Sequence, residues 1–333
     1  MPIETAFRLD GKRVWVAGHN GMVGSAIIRR LARENCEILV ADRNGVNLKD
    51  QAATRAWVED ARPDAIFLAA AKVGGILAND SRPVDFLYDN LMIEANVIEA
   101  AHRAKTTKLL LLGSSCIYPK FTPQPIPEDA LLSGPLEPTN ECYAVAKIAG
   151  IKLCQAYRRQ HRRDFISAMP TNLYGPGDNF DLDTSHVIPA LIRKAYEATQ
   201  RGDKEIVIWG TGTPRREFLH VDDCADACVH LMKVYSGESH VNVGTGEDLT
   251  ILELAKLVCE VAGFAGTVKH DLSKPDGTPR KLLNVDKIRV LGWTPNISLP
   301  DGLAASFRWY LGNIVSGGKN LSSTLSTRRF ESN

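Results

Sequence analysis

Tyr143 and Lys147 stand four apart in ECYAVAKIAGIKLC. On a helix they share one face. An ammonium beside a phenol lowers the tyrosine pKa from its ordinary ~10, toward the range useful for proton transfer. Alone, such a pair is common, and its plain reading is a packed tyrosine beside a solvated lysine. Upstream, KLLLLG runs into GSSCIYPK, which offers a hydroxyl at Ser114 and a thiol at Cys116. Ser114, Tyr143 and Lys147 together suit hydride transfer at a carbinol or carbonyl carbon. Tyr143 would give or take the oxygen's proton and Ser114 would polarise that oxygen, with a nicotinamide cofactor carrying the hydride. Cys116 lies on the same wall. A thiol with a pKa near ~8.5 can remove an acidified proton next to a ketone. Its partner acid would be His186 in DTSHVIPAL, whose ordinary pKa of about 6.5 suits acid work near neutrality. A lone cysteine or a lone histidine at a helix start is usually structural.

The cofactor's place is marked by Gly18, Gly21 and Gly24, a G-x-x-G-x-x-G loop between the apolar VWVAG and the helical SAIIRRLARENC. Glycine permits the tight turn and backbone approach to a pyrophosphate, and the helix N-terminus favours negative charge. The plain alternative is a tight turn in an unrelated α/β sheet. The second strand-like run, EILVAD, ends at Asp42 and Arg43. A carboxylate there would accept from the 2′-hydroxyl of NAD, and an arginine would pair with the 2′-phosphate of NADP. Both are present, so the residues leave NADP(H) and NAD(H) open.

The elements that must hold these groups alternate. VWVAG, EILVAD, DAIFLAAA, KLLLLG and FISAMP are apolar runs, separated by amphipathic segments such as residues 93–104 and 141–160. That pattern predicts an α/β fold, a Rossmann-type doubly wound parallel sheet covered on both faces. The proline-rich stretch 122–140 predicts a loop. The texture changes near residue 181, so the expected division is a cofactor domain over 11–180, with some later segments returning to it. A smaller α/β substrate domain follows over 181–315, and then a polar, disordered tail over 316–333. The 333 residues are 44% hydrophobic, enough for a large core, and the net charge of +1 points to neither nucleic acid nor membrane. No apolar run approaches the roughly 18 residues of a membrane span, and the N-terminus lacks a signal peptide's apolar core. Seven cysteines without framework spacing predict reduced thiols in a cytoplasmic protein, and Cys224 and Cys228 at i,i+4 read as core rather than a metal site.

The loop spacing resembles the extended short-chain dehydrogenase/reductase superfamily. Longer motifs narrow this: GHNGMVGSAI, AAAKVGGI, LLGSSCIYPK, NECYAVAKIAGIKLCQAY, PTNLYGP, SHVIPAL, VIWGTGTPRREFLHVDD and KPDGTPRKLL, in order over residues 11–313, resemble the GDP-L-fucose synthase family. The resemblance implies a GDP-sugar substrate, GDP-4-keto-6-deoxy-D-mannose. It would be epimerised at C3 and C5 with Cys116 as base and His186 as acid, then reduced at C4 with Tyr143 as proton donor, supported by Ser114 and Lys147. It implies cofactor contacts from Gly18, His19, Asn20, Gly21, Met22, Val23 and Gly24, from Arg43, from Leu112, Gly113 and Lys147, and from Pro170, Thr171, Asn172, Leu173 and His186. It implies substrate contacts from Lys194 (often arginine in that family), Trp209, Arg216 and Asp276. Arg43 matches the family's phosphate-binding arginine and favours NADP(H). Asn20 departs from an arginine found in some members, and Asp42 would repel a 2′-phosphate, which keeps NAD(H) in view. A homodimer through the cofactor-domain helices, including that of Tyr143, is also implied. The rival enzyme is an NAD-dependent nucleotide-sugar 4-epimerase, which needs no Cys/His pair. A non-catalytic dinucleotide sensor is the other rival, but such proteins often lose the Tyr or Lys.

Overall fold

A computed structural model describes residues 7–274 and 276–317. Of the tail expected to be disordered, residues 318–333 lie outside the described residues. The chain opens with β1 (Arg13–Ala17), α1 (Met22–Leu31), β2 (Glu37–Leu39), α2 (Gln51–Ala61), β3 (Ala65–Leu68), α3 (Ile76–Ser81), α4 (Pro83–Arg103) and β4 (Lys108–Leu112). It continues through α5 (Glu141–His161), β5 (Asp164–Pro170), β6 (Asn172–Tyr174), α6 (Val187–Arg201), β7 (Glu205–Trp209), β8 (Arg215–Arg216) and β9 (Phe218–His220). The last elements are α7 (Val221–Val234), β10 (Val241–Val243), β11 (Leu249–Thr250), α8 (Ile251–Ala262), β12 (Thr267–Asp271), β13 (Arg280–Lys281), α9 (Asp286–Val290) and α10 (Leu299–Tyr310).

Six strands form one parallel sheet in the order β10-β5-β4-β3-β1-β2. Its central strands are buried on both faces, which is why they read as unbroken apolar runs rather than alternating ones. Helices α1 and α7 pack together, as do α4 and α5. β10 arrives from beyond residue 240 to pair with β5, and α7 joins the same core as β1 and β4. Lys108 is fully buried in β4, yet its ammonium stands 3.2 Å from Asp164 and donates to Tyr235 O at 2.6 Å, so the charge is paired.

A second core gathers Ile188, Leu191 and Ile192 of α6, Ile206 and Ile208 of β7, Leu254 and Val258 of α8, and Leu303 and Tyr310 of α10. Two details differ from the sequence expectation. The helix expected over 93–104 begins at Pro83, because proline at the first helical turn gives up only an N–H that has no partner there. The strand expected over 37–42 pairs only to Leu39, and residues 42–45 form a turn instead.

Candidate active site

The glycine loop forms a cradle that side chains would fill. Gly18 has φ +90°, and a Cβ there would stand 2.6 Å from Ala70 N. A Cβ on Gly24 would collide with Gly18 O. The first residue of α1 follows Gly21, which provides no side-chain cap, so the helix's leading N–H groups stay open to an anion. The residues therefore fit a dinucleotide's diphosphate. Asp42 is exposed, and its Oδ1 accepts from Asn44 N at 2.9 Å and Gly45 N at 2.8 Å, closing its own turn. Arg43 is exposed beside it. Opposite, the AAAK segment after β3 is clamped by the buried Asn90, which accepts from Lys72 N at 2.8 Å and donates to Lys72 O at 3.0 Å. Sequence reasoning passed over Asn90.

The catalytic candidates meet at the end of β4. Gly113 lies against the Met169 side chain, where a Cβ would overlap it. Ser114 then caps a short 3₁₀ turn, Ser115–Ile117, its Oγ accepting from Cys116 N at 3.4 Å. Behind that turn Tyr118 donates to Asn242 Oδ1 at 2.5 Å and lies 2.8 Å from His240 Nε2, which ties the turn to β10. Tyr143, in the first turn of α5, meets Phe86 edge-on at 6.3 Å, and the Ser114 hydroxyl acts on its phenol. Lys147 is 2% exposed. Its Nζ donates to Leu112 O at 3.0 Å, lies 2.8 Å from Glu94 Oε1, and sits 5.8 Å from the centre of the Tyr143 ring.

One electrostatic expectation is corrected. Tyr143 is not drawn down by Lys147. Burial pushes its phenol well above the ordinary value, and the charges of Cys116 and Glu94 add to this, while Ser114 opposes it. Glu94 offsets the ammonium that was expected to lower it. Cys116 is 7% exposed, and burial pushes its thiol up, with Lys281, Ser114 and Lys147 pulling the other way. His186 occupies the N-cap of α6 without capping it, and solvent reaches it. Crowding by the surrounding protein atoms, then the Lys281 charge, pushes its imidazole down. Lys281 thus acts on both the thiol and the imidazole, and it lines one small pocket with Cys116 and Glu137. It is a functional candidate that sequence reasoning missed, although KPDGTPRKLL had been singled out.

The remaining predicted residues lie along the second core. Lys194 on α6 donates to Val207 O at 3.0 Å. Trp209 ends β7 with 46% of its surface exposed, and Lys274 Nζ stands 5.5 Å from its ring. Asp276 accepts from Thr211 N at 2.7 Å and Thr211 Oγ1 at 2.9 Å, and its charge acts on Arg216. The buried Glu217 joins the two halves. Its carboxylate accepts from Gly246 N at 2.7 Å and Leu283 N at 3.0 Å, and its carbonyl accepts from Asn172 Nδ2 at 2.8 Å and Thr171 Oγ1 at 3.3 Å. Residues 171–172, expected along the nicotinamide, are thereby fastened to the strand pair that carries Arg216 and Lys281.

A dinucleotide cradle on a parallel sheet, with Ser114, Tyr143 and Lys147 converging beyond it, defines the extended short-chain dehydrogenase/reductase class. Residues 14–244 match the sequence profile of the NAD dependent epimerase/dehydratase family. The chain is 59% identical over 309 residues to the GDP-L-fucose synthase of Sinorhizobium fredii, spanning 93% of this chain and 98% of that one. It is 57% identical over 303 residues to GDP-L-fucose synthase 1 of Arabidopsis thaliana, spanning 91% and 94%. A crystal structure of a GDP-L-fucose synthetase from Naegleria fowleri bound to NADP superposes with a TM-score of 0.86 at 27% identity, covering 95% of this chain and 97% of that one. The chain belongs to the NAD dependent epimerase/dehydratase family and, within it, to the GDP-L-fucose synthases. Among the described residues, no helix is long and apolar enough to cross a membrane.

Proposed function

We propose that the protein converts GDP-4-keto-6-deoxy-D-mannose to GDP-L-fucose with NADPH, performing 3,5-epimerisation and C4 reduction in one pocket. The observation that carries this reading is the position of Ser114, whose hydroxyl accepts from Cys116 N at 3.4 Å and acts on the Tyr143 phenol. A base for carbon and a proton donor for oxygen would therefore serve one carbonyl position. The C4 ketone acidifies the C–H bonds at C3 and C5. Cys116 as thiolate takes a proton from one face, and His186 as imidazolium returns one to the other. Ser114 and Tyr143 hold the enolate oxygen by hydrogen bonds, and Lys281 offers a positive charge beside the thiolate. When bound, NADPH supplies the hydride that reduces C4. Tyr143 then gives its proton to the C4 oxygen.

The cradle at 18–24, Arg43, Leu112, Gly113, Lys147, residues 170–173 and His186 would hold the cofactor. Trp209 offers a flat face for a ring, and Arg216 a fork for the diphosphate. Lys194 and Asp276 complete the substrate arm. The division of labour follows the two cores, with the cofactor on the parallel sheet and the sugar nucleotide on the second core. The proposed dimer would use α4 and α5, which leave Val84, Tyr88 and Val145 exposed. Seven free thiols suit a reducing compartment such as the cytoplasm.

The test mixes purified protein with GDP-4-keto-6-deoxymannose and NADPH or NADH in deuterated water. Stoichiometric cofactor oxidation, deuterium at C3 and C5, and GDP-L-fucose as product are expected. An unepimerised 6-deoxyhexose without deuterium would remove the Cys116/His186 assignment. No oxidation with either cofactor would overturn the reading.

A further inference from the structure

Glu94 belongs to none of the roles above, yet it is 1% exposed and carries an acid into the core of α4. Its Oε1 lies at an ion-pair distance of 2.8 Å from Lys147 Nζ, and among the described residues neither carboxylate oxygen has a partner in hydrogen-bond geometry. The space it occupies is reserved for it. Gly150 faces it from α5, and a Cβ at 150 would collide with Glu94 Oε2 and stand 3.0 Å from Leu111 Cδ2. A buried acid without a task is costly, and replacing such a pair with apolar groups is often neutral or stabilising.

We propose that Glu94 is a positioning residue for the reduction step, which holds the Lys147 ammonium and cancels its charge so that Tyr143 keeps its proton until the C4 oxygen takes it. The inference rests on the reductase reading above. Of the ammonium's three N–H groups, one goes to Leu112 O and a second faces Glu94, which leaves one for the cofactor's ribose. Burial pushes the Glu94 carboxyl up and the nearby Lys147 charge pulls it back down, and an ionised Glu94 makes the pair neutral overall. The other groups acting on the phenol are Cys116 and Ser114 from the turn after β4. Cys154, further along α5, also feels the Glu94 charge. Without Glu94, the nearest full charge to Tyr143 would be an uncompensated Lys147.

The experiment titrates tyrosinate absorbance in the cofactor-free protein, using Tyr143→Phe as background, and sets it beside the pH profile of kcat for NADPH oxidation. In the wild type, Tyr143 should stay protonated up to alkaline unfolding. In Glu94→Gln its midpoint should fall by about one pH unit or more, the size expected for an unpaired cation at this range. The basic limb of kcat should fall with it, while KM for the GDP-sugar holds. Glu94→Asp keeps the charge and should return most of the limb. An unchanged midpoint in Glu94→Gln, with only a lower Tm, would make Glu94 merely structural and overturn the proposal. If Glu94→Gln does not fold, Glu94→Met, of similar volume and without charge, takes its place: the same fall in midpoint and limb supports the role, and an unmoved midpoint refutes it. Failure of the wild type to oxidise NADPH would overturn the reductase reading, while the tyrosinate titration would still decide on Glu94.

Discussion

Arg216 and Lys281 are register partners in the parallel pair β8–β13, so two cations stand side by side at the mouth of the site. Arg216 acts on Lys281, and burial pushes both below their ordinary values. Lys281 in turn stabilises the thiolate of Cys116. Lys281→Met should therefore shift the pH dependence of Cys116 alkylation by iodoacetamide upward, by about half a unit to one unit. Deuterium wash-in at C3 and C5 should slow roughly tenfold, in line with about 1.4 kcal/mol per unit. Mass spectrometry of the Cys116 peptide reads the first effect, and NMR of the sugar reads the second. An unshifted alkylation profile would remove Lys281 from the epimerisation step.

The thiol is raised and the imidazole lowered, so at neutral pH the resting pair is a neutral thiol and a neutral imidazole. The active pair is the reverse, thiolate and imidazolium. Its population is flat between the two pKa values. It falls below the imidazole's, where thiolate continues to disappear but imidazolium no longer grows, and above the thiol's, where the converse holds. The epimerisation rate should thus be bell-shaped, with His186 on the acid limb and Cys116 on the alkaline limb. Proton exchange at C3 and C5 measured across pH, without cofactor, checks it. A profile that keeps rising into alkali would exclude His186 as the acid.

Asp42 Oδ1 accepts from Asn44 N and Gly45 N. Arg43→Ala should raise the KM for NADPH by tenfold or more and leave that for NADH nearly unchanged, since a charge-assisted contact contributes about 1.5–3 kcal/mol. Asp42→Asn keeps an acceptor for the turn and should change neither KM more than about twofold. Initial rates with both cofactors decide. An NADPH KM insensitive to Arg43 would mean the 2′-phosphate is held elsewhere.

Glu217 is fully buried and takes two backbone N–H groups with its carboxylate. Glu217→Ala leaves both without a partner and should cost about 2–4 kcal/mol in urea unfolding. Glu217→Gln keeps an acceptor oxygen and should lose less. Equal stability in all three proteins would mean that water replaces the carboxylate at no cost.

The fold was largely legible because a doubly buried parallel sheet writes its strands as bare apolar runs. Residues 108–113 and 64–68 could hardly be anything else. The glycine cradle and the Tyr143–Lys147 spacing were legible because both depend on local geometry. Asn90, Glu94, Glu217 and Lys281 were not, since each acts on a partner far away in the chain. Glu94 did leave a trace. In IEANVIEAAHRA it falls on the stripe of Val97, Ile98 and Ala101, all buried. An acid on the apolar face of a helix is the kind of exception that asks for a buried partner. The expected lowering of the Tyr143 pKa does not hold because burial, which spacing along one helix does not show, raises it, and the charges of Cys116 and Glu94 add to this.

The sheet that carries the cofactor cradle is finished late. β10 and α7 come from the far side of the second core's first strands, and β10 both closes the edge beside β5 and anchors the Ser114–Cys116 turn through Tyr118. During synthesis, a chain that has emerged only to residue 180 holds every glycine of the cradle and Ser114, Cys116, Tyr143 and Lys147, yet has an open strand edge beside β5 and an α1 without its partner helix α7. The two cores are interleaved in sequence, since α7 and β10 of the first follow α6 and β7 of the second. A break in the chain near residue 180 should cost the binding of both molecules together.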